Sequence, residues 1–121
     1  MNVLIVDDDI NSTVTMKALL MSQDGYNIDI AHSGKKALEM INKDVYDLIF
    51  LDIMMPDFSG LDFAKELKDK TLPVILSSAL PISSDELKEM LNDFKKHCNV
   101  KGILEKPFSL EKMLTEINKS I

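Results

Sequence analysis

Short apolar runs alternate with amphipathic segments along the whole chain. The continuous runs cover residues 3–6, 48–51, 73–76 and 102–104. A continuous apolar run predicts a strand buried on both faces of a parallel sheet, because a half-exposed strand would alternate apolar and polar residues. Residues 28–30 do alternate, which predicts a further strand at an exposed edge of the sheet. The pattern therefore predicts five strands.

Each predicted strand is followed by a segment with apolar residues at helical spacing. The predicted buried faces are Ile10, Val14, Ala18 and Met21 in the first helix; Ala37, Leu38 and Ile41 in the second; Leu61, Ala64 and Leu67 in the third; Leu87, Met90, Leu91 and Phe94 in the fourth; and Leu110, Met113, Leu114 and Ile117 in the fifth. Pro56 and Gly60 are predicted to break the chain before the third helix. Ser83 and Glu86 form an S-x-x-E capping box that predicts the start of the fourth helix.

Strict alternation of strands and helices predicts right-handed crossovers and a parallel sheet covered on both faces. A flavodoxin-like α/β fold with strand order 2-1-3-4-5 places the alternating second strand and the short fifth strand at the two edges. With 121 residues and a mass of 13.6 kDa, the chain fits one domain. We therefore expect a single doubly wound domain that covers residues 1–121.

Polar side chains with suitable chemistry follow four of the five predicted strands. They are Asp7 and Asp8 after the first strand, Asp52 at the end of the third, Ser78 after the fourth and Lys106 after the fifth. Parallel strands lie about 4.8 Å apart, so groups at their carboxyl ends converge within roughly 10 Å. Three carboxylates this close repel one another unless a cation offsets their charge. The pattern predicts a site for a hard divalent cation, and Mg²⁺ fits best because it accepts carboxylate and phosphate oxygens together.

Composition excludes several functions. The net charge of −6 argues against direct nucleic-acid binding, because the chain would be repelled by the phosphate backbone. No apolar stretch approaches the roughly 20 residues of a membrane span, and the first residues do not resemble a signal peptide. We therefore expect a cytoplasmic protein without membrane contact. Cys98 is the single cysteine, so neither an internal disulfide nor a zinc pattern is predicted.

Four motifs at the predicted strand ends together resemble the receiver domain of two-component response regulators. They are LIVDDD at residues 4–9, LDIMMP at residues 51–56 with Gly60, Ser78-Ala79, and Lys106-Pro107-Phe108. The resemblance spans the whole chain. It implies that the domain accepts a phosphoryl group from a histidine kinase or histidine phosphotransferase and then switches conformation to control an output domain or partner. It also implies a phosphoacceptor that catalyses its own phosphorylation and dephosphorylation, rather than an enzyme that turns over substrate.

The resemblance assigns roles to the acidic residues. It makes Asp52 the covalent nucleophile, and it implies that Asp8, Asp52 and the backbone carbonyl of Met54 bind Mg²⁺ while Asp7 acts through a bound water. These roles are chemically reasonable, because phosphoryl transfer passes through a loose, in-line transition state that requires mainly positioning and charge stabilisation. Asp9 is instead interpreted as a helix cap.

The resemblance also assigns roles to the hydroxyl and ammonium groups. Lys106 would pair with phosphoryl oxygens, and Ser78 would donate a hydrogen bond to them, whereas the neighbouring Ser77 is predicted to point to the opposite face of the strand. The Lys106-Pro107 peptide bond is predicted to be cis, which costs only about 0.5–1 kcal/mol before proline. His32 and His97 are predicted to lie outside the site.

Two alternative functions compete with the phosphorylation switch. One is a Mg²⁺-dependent phosphatase of the haloacid dehalogenase type, which also uses an aspartyl nucleophile. Those enzymes normally carry a second aspartate two residues after the nucleophile, where this chain has Met54. The other alternative is a binding module that is never phosphorylated, and the complete set of acid, hydroxyl and lysine argues against it.

Ile103 departs from the pattern of many receiver domains. It occupies the position where they carry an aromatic residue or histidine that moves inward on activation. Isoleucine is stiff at χ1 and has no polar tip, so it is poorly suited to that movement. We therefore hypothesise that the signal passes through residues 80–82 and the start of the fourth helix.

Overall fold

The computed structural model describes residues 1–55 and 59–120, and these contain five strands and five helices in strict alternation. In chain order the elements are β1 (Asn2–Val6), α1 (Ile10–Met21), β2 (Asn27–Ala31), α2 (Gly34–Lys43), β3 (Leu48–Asp52), α3 (Gly60–Glu66), β4 (Pro73–Ser78), α4 (Asp85–His97), β5 (Asn99–Glu105) and α5 (Leu110–Ser120). The break predicted at Pro56 lies outside the described residues. Within the described residues, no helix is both long enough and apolar enough to cross a membrane.

The strands form one parallel sheet in the order β2-β1-β3-β4-β5, which confirms the predicted flavodoxin-like fold. All five residues of β3 are buried, as expected for the centre of a sheet covered on both faces. Side chains of β3 alternate between the two faces. Ile49 and Leu51 pack in a core beneath α2, α3 and α4, whereas Leu48 and Phe50 pack in a second core beneath α1 and α5.

The buried face of α1 differs from the prediction. The predicted residues Ile10, Val14, Ala18 and Met21 are all exposed to solvent. The helix instead buries Thr13, Met16 and Leu20, and the Thr13 hydroxyl donates to the Ile10 carbonyl at 2.8 Å, so its burial leaves no donor unpaired. Apolar residues occur on both sides of this helix, so spacing alone does not indicate which side meets the sheet.

The start of α4 also differs from the prediction. Ser84, and not Ser83, caps the helix, because the Ser84 hydroxyl accepts from the backbone N–H of Leu87 at 3.3 Å. The backbone N–H of Ser84 donates to the Pro81 carbonyl at 2.9 Å, and this turn delays the helix by one residue. The predicted capping box between Ser83 and Glu86 is therefore wrong.

Gly60 begins α3 directly against the end of β3. A Cβ atom at Gly60 would lie 2.5 Å from the backbone oxygen of Asp52 and 3.2 Å from the Cα of Ile53. Both are backbone atoms of the segment that carries Asp52, so neither can move without shifting that segment. We expect Gly60→Ala to lower the free energy of unfolding by about 1–3 kcal/mol, measured by urea denaturation.

Gly102→Ala is the matched control for this substitution. A Cβ atom at Gly102 would meet only the side chain of Glu116, which is flexible and can move away. We expect Gly102→Ala to lower the free energy of unfolding by less than Gly60→Ala does. Equal losses in the two variants would show that close approach to the β3 backbone is not what requires glycine at position 60.

Candidate functional site

The carboxyl ends of β1, β3 and β5 bring three carboxylates and one ammonium group together. One carboxylate oxygen each from Asp7, Asp8 and Asp52 lies within 4.8 Å of the other two. The Lys106 Nζ donates to Asp7 Oδ2 at 2.7 Å and to Asp52 Oδ2 at 3.4 Å. The convergence predicted from the strand ends is therefore present for Asp7, Asp8, Asp52 and Lys106.

Asp7 is held rigidly where β1 leaves the sheet. It is 1% exposed, and its backbone N–H donates to the Ala31 carbonyl of β2 at 3.1 Å. Its Oδ1 accepts from the backbone N–H of Asp9 at 2.9 Å. Asp9 in turn caps α1 by accepting from the backbone N–H of Ser12, which confirms its interpretation as a helix cap. The cap thus turns the chain while Asp7 stays directed into the site.

Asp52 ends the central strand and is only 6% exposed. Its Oδ1 accepts from the backbone N–H of Met54 at 3.1 Å. Burial is the main reason that the pKa of Asp52 rises to about 6, and the negative charge of Asp7 raises it further. The hydrogen bond from Met54 and the positive charge of Lys106 oppose this rise. Without a metal ion, the Asp52 carboxylate is therefore held in an unfavourable environment.

Lys106 is the cation that the described residues supply to this site. Burial alone would lower the pKa of Lys106, but the hydrogen bond to Asp7 and the charges of Asp52 and Asp7 outweigh it, so the pKa is raised. The backbone N–H of Lys106 donates to the Ser78 carbonyl at 2.8 Å, which fastens the end of β5 to β4. The Lys106-Pro107 peptide bond is cis, as predicted.

Ser78 is buried at the end of β4. Its hydroxyl accepts from the backbone N–H of Leu80 at 2.9 Å and donates to the Leu80 carbonyl at 3.4 Å. Ser77 is also buried, and its backbone carbonyl accepts from the N–H of Ile53 next to Asp52. The role of Ser78 as the phosphate-binding hydroxyl stays a prediction.

The two histidines differ in their relation to the site. His97 is the last residue of α4, in agreement with a helix-end role. His32, which was predicted to lie outside the site, is not among the residues of the acidic cluster, and its Nδ1 lies 3.2 Å from the backbone oxygen of Asp7. The sequence signal for this contact was the position of His32 directly after β2. Because β2 and β1 are neighbouring parallel strands, their carboxyl ends lie at the same edge of the sheet.

The chemistry of the cluster fits a hard divalent cation. All three side chains offer carboxylate oxygens, which Mg²⁺ prefers, and two of them are buried while Asp8 is exposed. The Asp7 and Asp52 Oδ1 atoms each accept one backbone N–H, and the Oδ2 atoms of both residues face the single ammonium group of Lys106. A divalent cation would offset the remaining negative charge.

The raised pKa of Asp52 predicts how the stability of the metal-free protein depends on pH. The unfolded chain releases this proton near pH 3.8, whereas the folded protein holds it up to about pH 6. The folded state therefore binds more protons between these values, and the contribution of Asp52 to the free energy of unfolding falls as pH rises. As pH rises from about 4 to about 6, we expect the free energy of unfolding of the wild-type protein to fall by about 1–3 kcal/mol relative to that of Asp52→Asn.

Urea unfolding of both proteins in EDTA between pH 4 and pH 7 would measure this difference. The comparison with Asp52→Asn removes the effects of titrating groups that do not contact Asp52. Added Mg²⁺ should restore the stability of the wild-type protein at pH 7, because a cation favours the ionised carboxylate. A difference between the two proteins that stays constant with pH would contradict the prediction.

The fold and the site together define a class of protein: a doubly wound α/β domain with an acidic cluster and a paired lysine at the carboxyl edge of its sheet. Residues 3–118 match the family described as response regulator receiver domain. The chain belongs to this family, whose members are phosphoacceptors of two-component signalling systems.

Individual relatives agree with this assignment. The chain is 33% identical over 123 residues to the aerobic respiration control sensor protein ArcB of Escherichia coli (strain K12), with 98% of the chain and 15% of ArcB covered. It is 32% identical over 119 residues to the response regulator MprA of Mycobacterium avium, with 97% of the chain and 49% of MprA covered. The chain therefore spans less than half the length of these two relatives.

Solved structures show the same architecture. The chemotaxis protein CheY4 of Vibrio cholerae superposes with a TM-score of 0.85 at 27% identity, covering 99% of this chain and 98% of CheY4. The response regulator TrrA of Thermotoga maritima, solved in complex with Mg²⁺ and BeF, superposes with a TM-score of 0.81 at 30% identity and the same coverage. The alternative hypothesis of a haloacid dehalogenase-type phosphatase is not supported by these relatives.

Proposed function

We propose that Asp52 accepts a phosphoryl group in a reaction that requires Mg²⁺, and that the domain acts as a phosphorylation switch. The observation that carries this proposal is the cluster of Asp7, Asp8 and Asp52 at the carboxyl edge of the sheet, in which Asp7 and Asp52 contact the Lys106 ammonium group. Such a cluster combines a nucleophile, a cation site and a fixed positive charge, which are the parts that phosphoryl transfer requires.

In this reaction an oxygen of Asp52 attacks phosphorus as the bond from phosphorus to the donor breaks. Asp52 Oδ1 accepts the hydrogen bond from Met54, while Oδ2 faces Lys106. Bound Mg²⁺ supplies positive charge that offsets the carboxylates and the incoming phosphoryl oxygens. Lys106 can then exchange its hydrogen bond with a carboxylate for one with a phosphoryl oxygen, because both partners are anionic oxygens.

The remaining site residues hold the cation and the new phosphoryl group. We assign Asp8, Asp52 and the backbone carbonyl of Met54 as Mg²⁺ ligands, with Asp7 acting through a bound water. Ser78 donates its hydroxyl hydrogen to a phosphoryl oxygen. The residues that promote transfer to Asp52 also surround the acyl phosphate, so we propose that the domain catalyses both its own phosphorylation and its own dephosphorylation.

The phosphodonor in this proposal is a histidine kinase or histidine phosphotransferase that contacts α1. Ile10, Val14, Ala18 and Met21 form an exposed apolar stripe on this helix, and Ile10 is 63% exposed. The stripe begins one residue after Asp9, next to the site. An apolar helix surface beside the nucleophile would position a donor histidine above Asp52.

The output of the switch and the extent of the protein are further proposals. We propose that residues 1–121 form one receiver domain that controls an output domain or a partner protein. The chain covers 15% of ArcB and 49% of MprA, so both relatives have room for further domains beside the matched segment. A cytoplasmic location and the absence of direct nucleic-acid contact by this domain stay predictions.

Labelling of the wild-type protein tests the proposed function. The protein would be incubated with acetyl phosphate, or with a phosphorylated histidine kinase, in the presence of Mg²⁺, and the modified residue located by mass spectrometry. We expect an acid-stable, base-labile label on Asp52 that is absent when EDTA removes the cation. A label on another residue, or no label with either donor, would overturn the proposal.

A further inference from the structure

The loop between β4 and α4, residues 79–84, is tied to the ends of two strands. At its start, the backbone N–H of Leu80 donates to the Ser78 hydroxyl at 2.9 Å. In its middle, the backbone N–H of Ile82 donates to the Glu105 carboxylate at 2.9 Å. Glu105 is the last residue of β5 and directly precedes Lys106. The Glu105 side chain therefore connects this loop to the end of β5, directly before the site lysine.

The loop also determines where the Ser78 hydroxyl points. The hydroxyl hydrogen is shared with the Leu80 carbonyl at 3.4 Å, so the hydroxyl is engaged with the loop on both its donor and acceptor sides. To donate to a phosphoryl oxygen on Asp52, the hydroxyl hydrogen must leave the Leu80 carbonyl, and a movement of the hydroxyl toward Asp52 must either draw the Leu80 N–H with it or break the bond from that N–H. Leu80 is two residues from Ile82, so a loop held at Ile82 resists the displacement that would free Ser78.

We propose that Glu105 is a positioning residue that holds the β4–α4 loop, and through it the Ser78 hydroxyl, in the resting arrangement. The hydrogen bond to Ile82 thereby limits the rate at which Asp52 is phosphorylated. This proposal rests on the proposed function, because it concerns the same site. Glu105 lies outside the acidic cluster, and it controls the fraction of molecules in which the Ser78 hydroxyl is free to bind a phosphoryl oxygen.

The size of the effect follows from the strength of one hydrogen bond to a carboxylate. If the site reacts only while the Ser78 hydroxyl is free of the loop, the observed rate of phosphorylation is proportional to the fraction of time spent in that arrangement. Removal of the bond raises this fraction, and one charge-assisted hydrogen bond at a solvent-exposed position corresponds to about a threefold to tenfold change. Glu105 and Ile82 are both exposed, so the loss of the bond leaves the core intact.

Three variants separate the hydrogen bond from the charge. Glu105→Ala removes both, whereas Glu105→Gln removes the charge but keeps an oxygen that accepts from Ile82. Glu111→Ala is the matched control, because Glu111 lines the same 450 Å³ surface cavity and its carboxylate makes none of the side-chain hydrogen bonds found within residues 1–55 and 59–120. The rate of phosphorylation by acetyl phosphate with saturating Mg²⁺ would be measured for each variant and for the wild type.

We expect Glu105→Ala to be phosphorylated about threefold to tenfold faster than the wild type. Glu105→Gln should stay within about twofold of the wild type, and Glu111→Ala should match it. Equal acceleration in Glu105→Ala and Glu105→Gln would assign the effect to charge and overturn the proposal. An unchanged rate in Glu105→Ala would overturn it as well, while the proposed function would still hold if wild-type Asp52 is labelled.

Amide chemical shifts provide a second readout that does not depend on phosphorylation. In Glu105→Ala we expect the Ile82 amide to lose the downfield shift caused by a carboxylate acceptor, and the amides of residues 79–84 to move along the direction produced by Mg²⁺ and beryllium fluoride in the wild type. Glu105→Gln should move them less. If the loop amides of Glu105→Ala keep their wild-type shifts, the loop is not held by Glu105 and the proposal is wrong.

Discussion

Asp52→Asn protein will take up at least about a hundredfold less phosphoryl label than the wild type, because the substitution removes the carboxylate that we propose as the nucleophile. Asparagine has nearly the same shape as aspartate, and its amide oxygen can still accept the hydrogen bond from Met54 that Asp52 Oδ1 accepts now. The loss of label will therefore reflect chemistry and not the loss of the fold. Intact-mass measurement after incubation with acetyl phosphate and Mg²⁺ gives the labelled fraction.

Asp9→Asn is the matched control for this experiment. It removes a carboxylate at the same edge of the sheet, but asparagine caps helices as well as aspartate does. We expect this variant to be labelled to nearly the same extent as the wild type and to unfold at a similar urea concentration. If Asp52→Asn is labelled as strongly as Asp9→Asn, Asp52 is not the acceptor.

The second large effect is expected for Lys106→Met in the absence of divalent cations. The substitution keeps a long apolar side chain but leaves the buried Asp7 and Asp52 carboxylates without their ammonium partner. The loss of one partner of a buried ion pair leaves an uncompensated charge, and we expect the free energy of unfolding to fall by about 2–4 kcal/mol at pH 8. Protonation of Asp52 relieves the repulsion, so the loss should be smaller at pH 5.

A double-mutant cycle with Asp7→Asn tests the cause of this destabilisation. Asp7 makes the shorter contact with Lys106, at 2.7 Å, so the double variant should recover much of the stability that Lys106→Met loses. We expect a coupling free energy of about 1–3 kcal/mol from urea unfolding in EDTA. Additive losses would show that the stability of the site does not depend on this ion pair.

The topology and most elements were predictable because the central strands are buried on both faces. A short continuous apolar run such as residues 48–51 indicates a buried strand. Regular alternation of such strands with helices then indicates a parallel sheet. The edge strand β5 was predicted too short, since it runs Asn99–Glu105 and the prediction covered residues 102–104. Its first half includes the exposed Lys101, so that half shows no apolar run.

The acidic cluster was predictable for the same reason. Asp7 and Asp8 follow β1, Asp52 ends β3 and Lys106 follows β5, and the topology of a parallel sheet brings such positions to one edge. The contact of His32 with the Asp7 backbone oxygen was missed because every residue type offers a backbone carbonyl, so the position of His32 directly after β2 was its sole signal in the sequence. The hydrogen bond between Glu105 and Ile82 was missed because it links a side chain to a backbone amide of a turn that no residue pattern specified.

The sequence by itself determined which segments are strands, their order along the chain and which charged groups follow them, because burial on two faces demands a continuous apolar run. Only the tertiary structure decided which side of α1 meets the sheet, which serine begins α4 and which partner each polar group takes at the site. In each case the alternatives have similar local energies. In α1, for example, the face with Ile10 and Val14 and the face with Met16 and Leu20 are both apolar, but only the second is buried. Packing of the whole domain selects one of them.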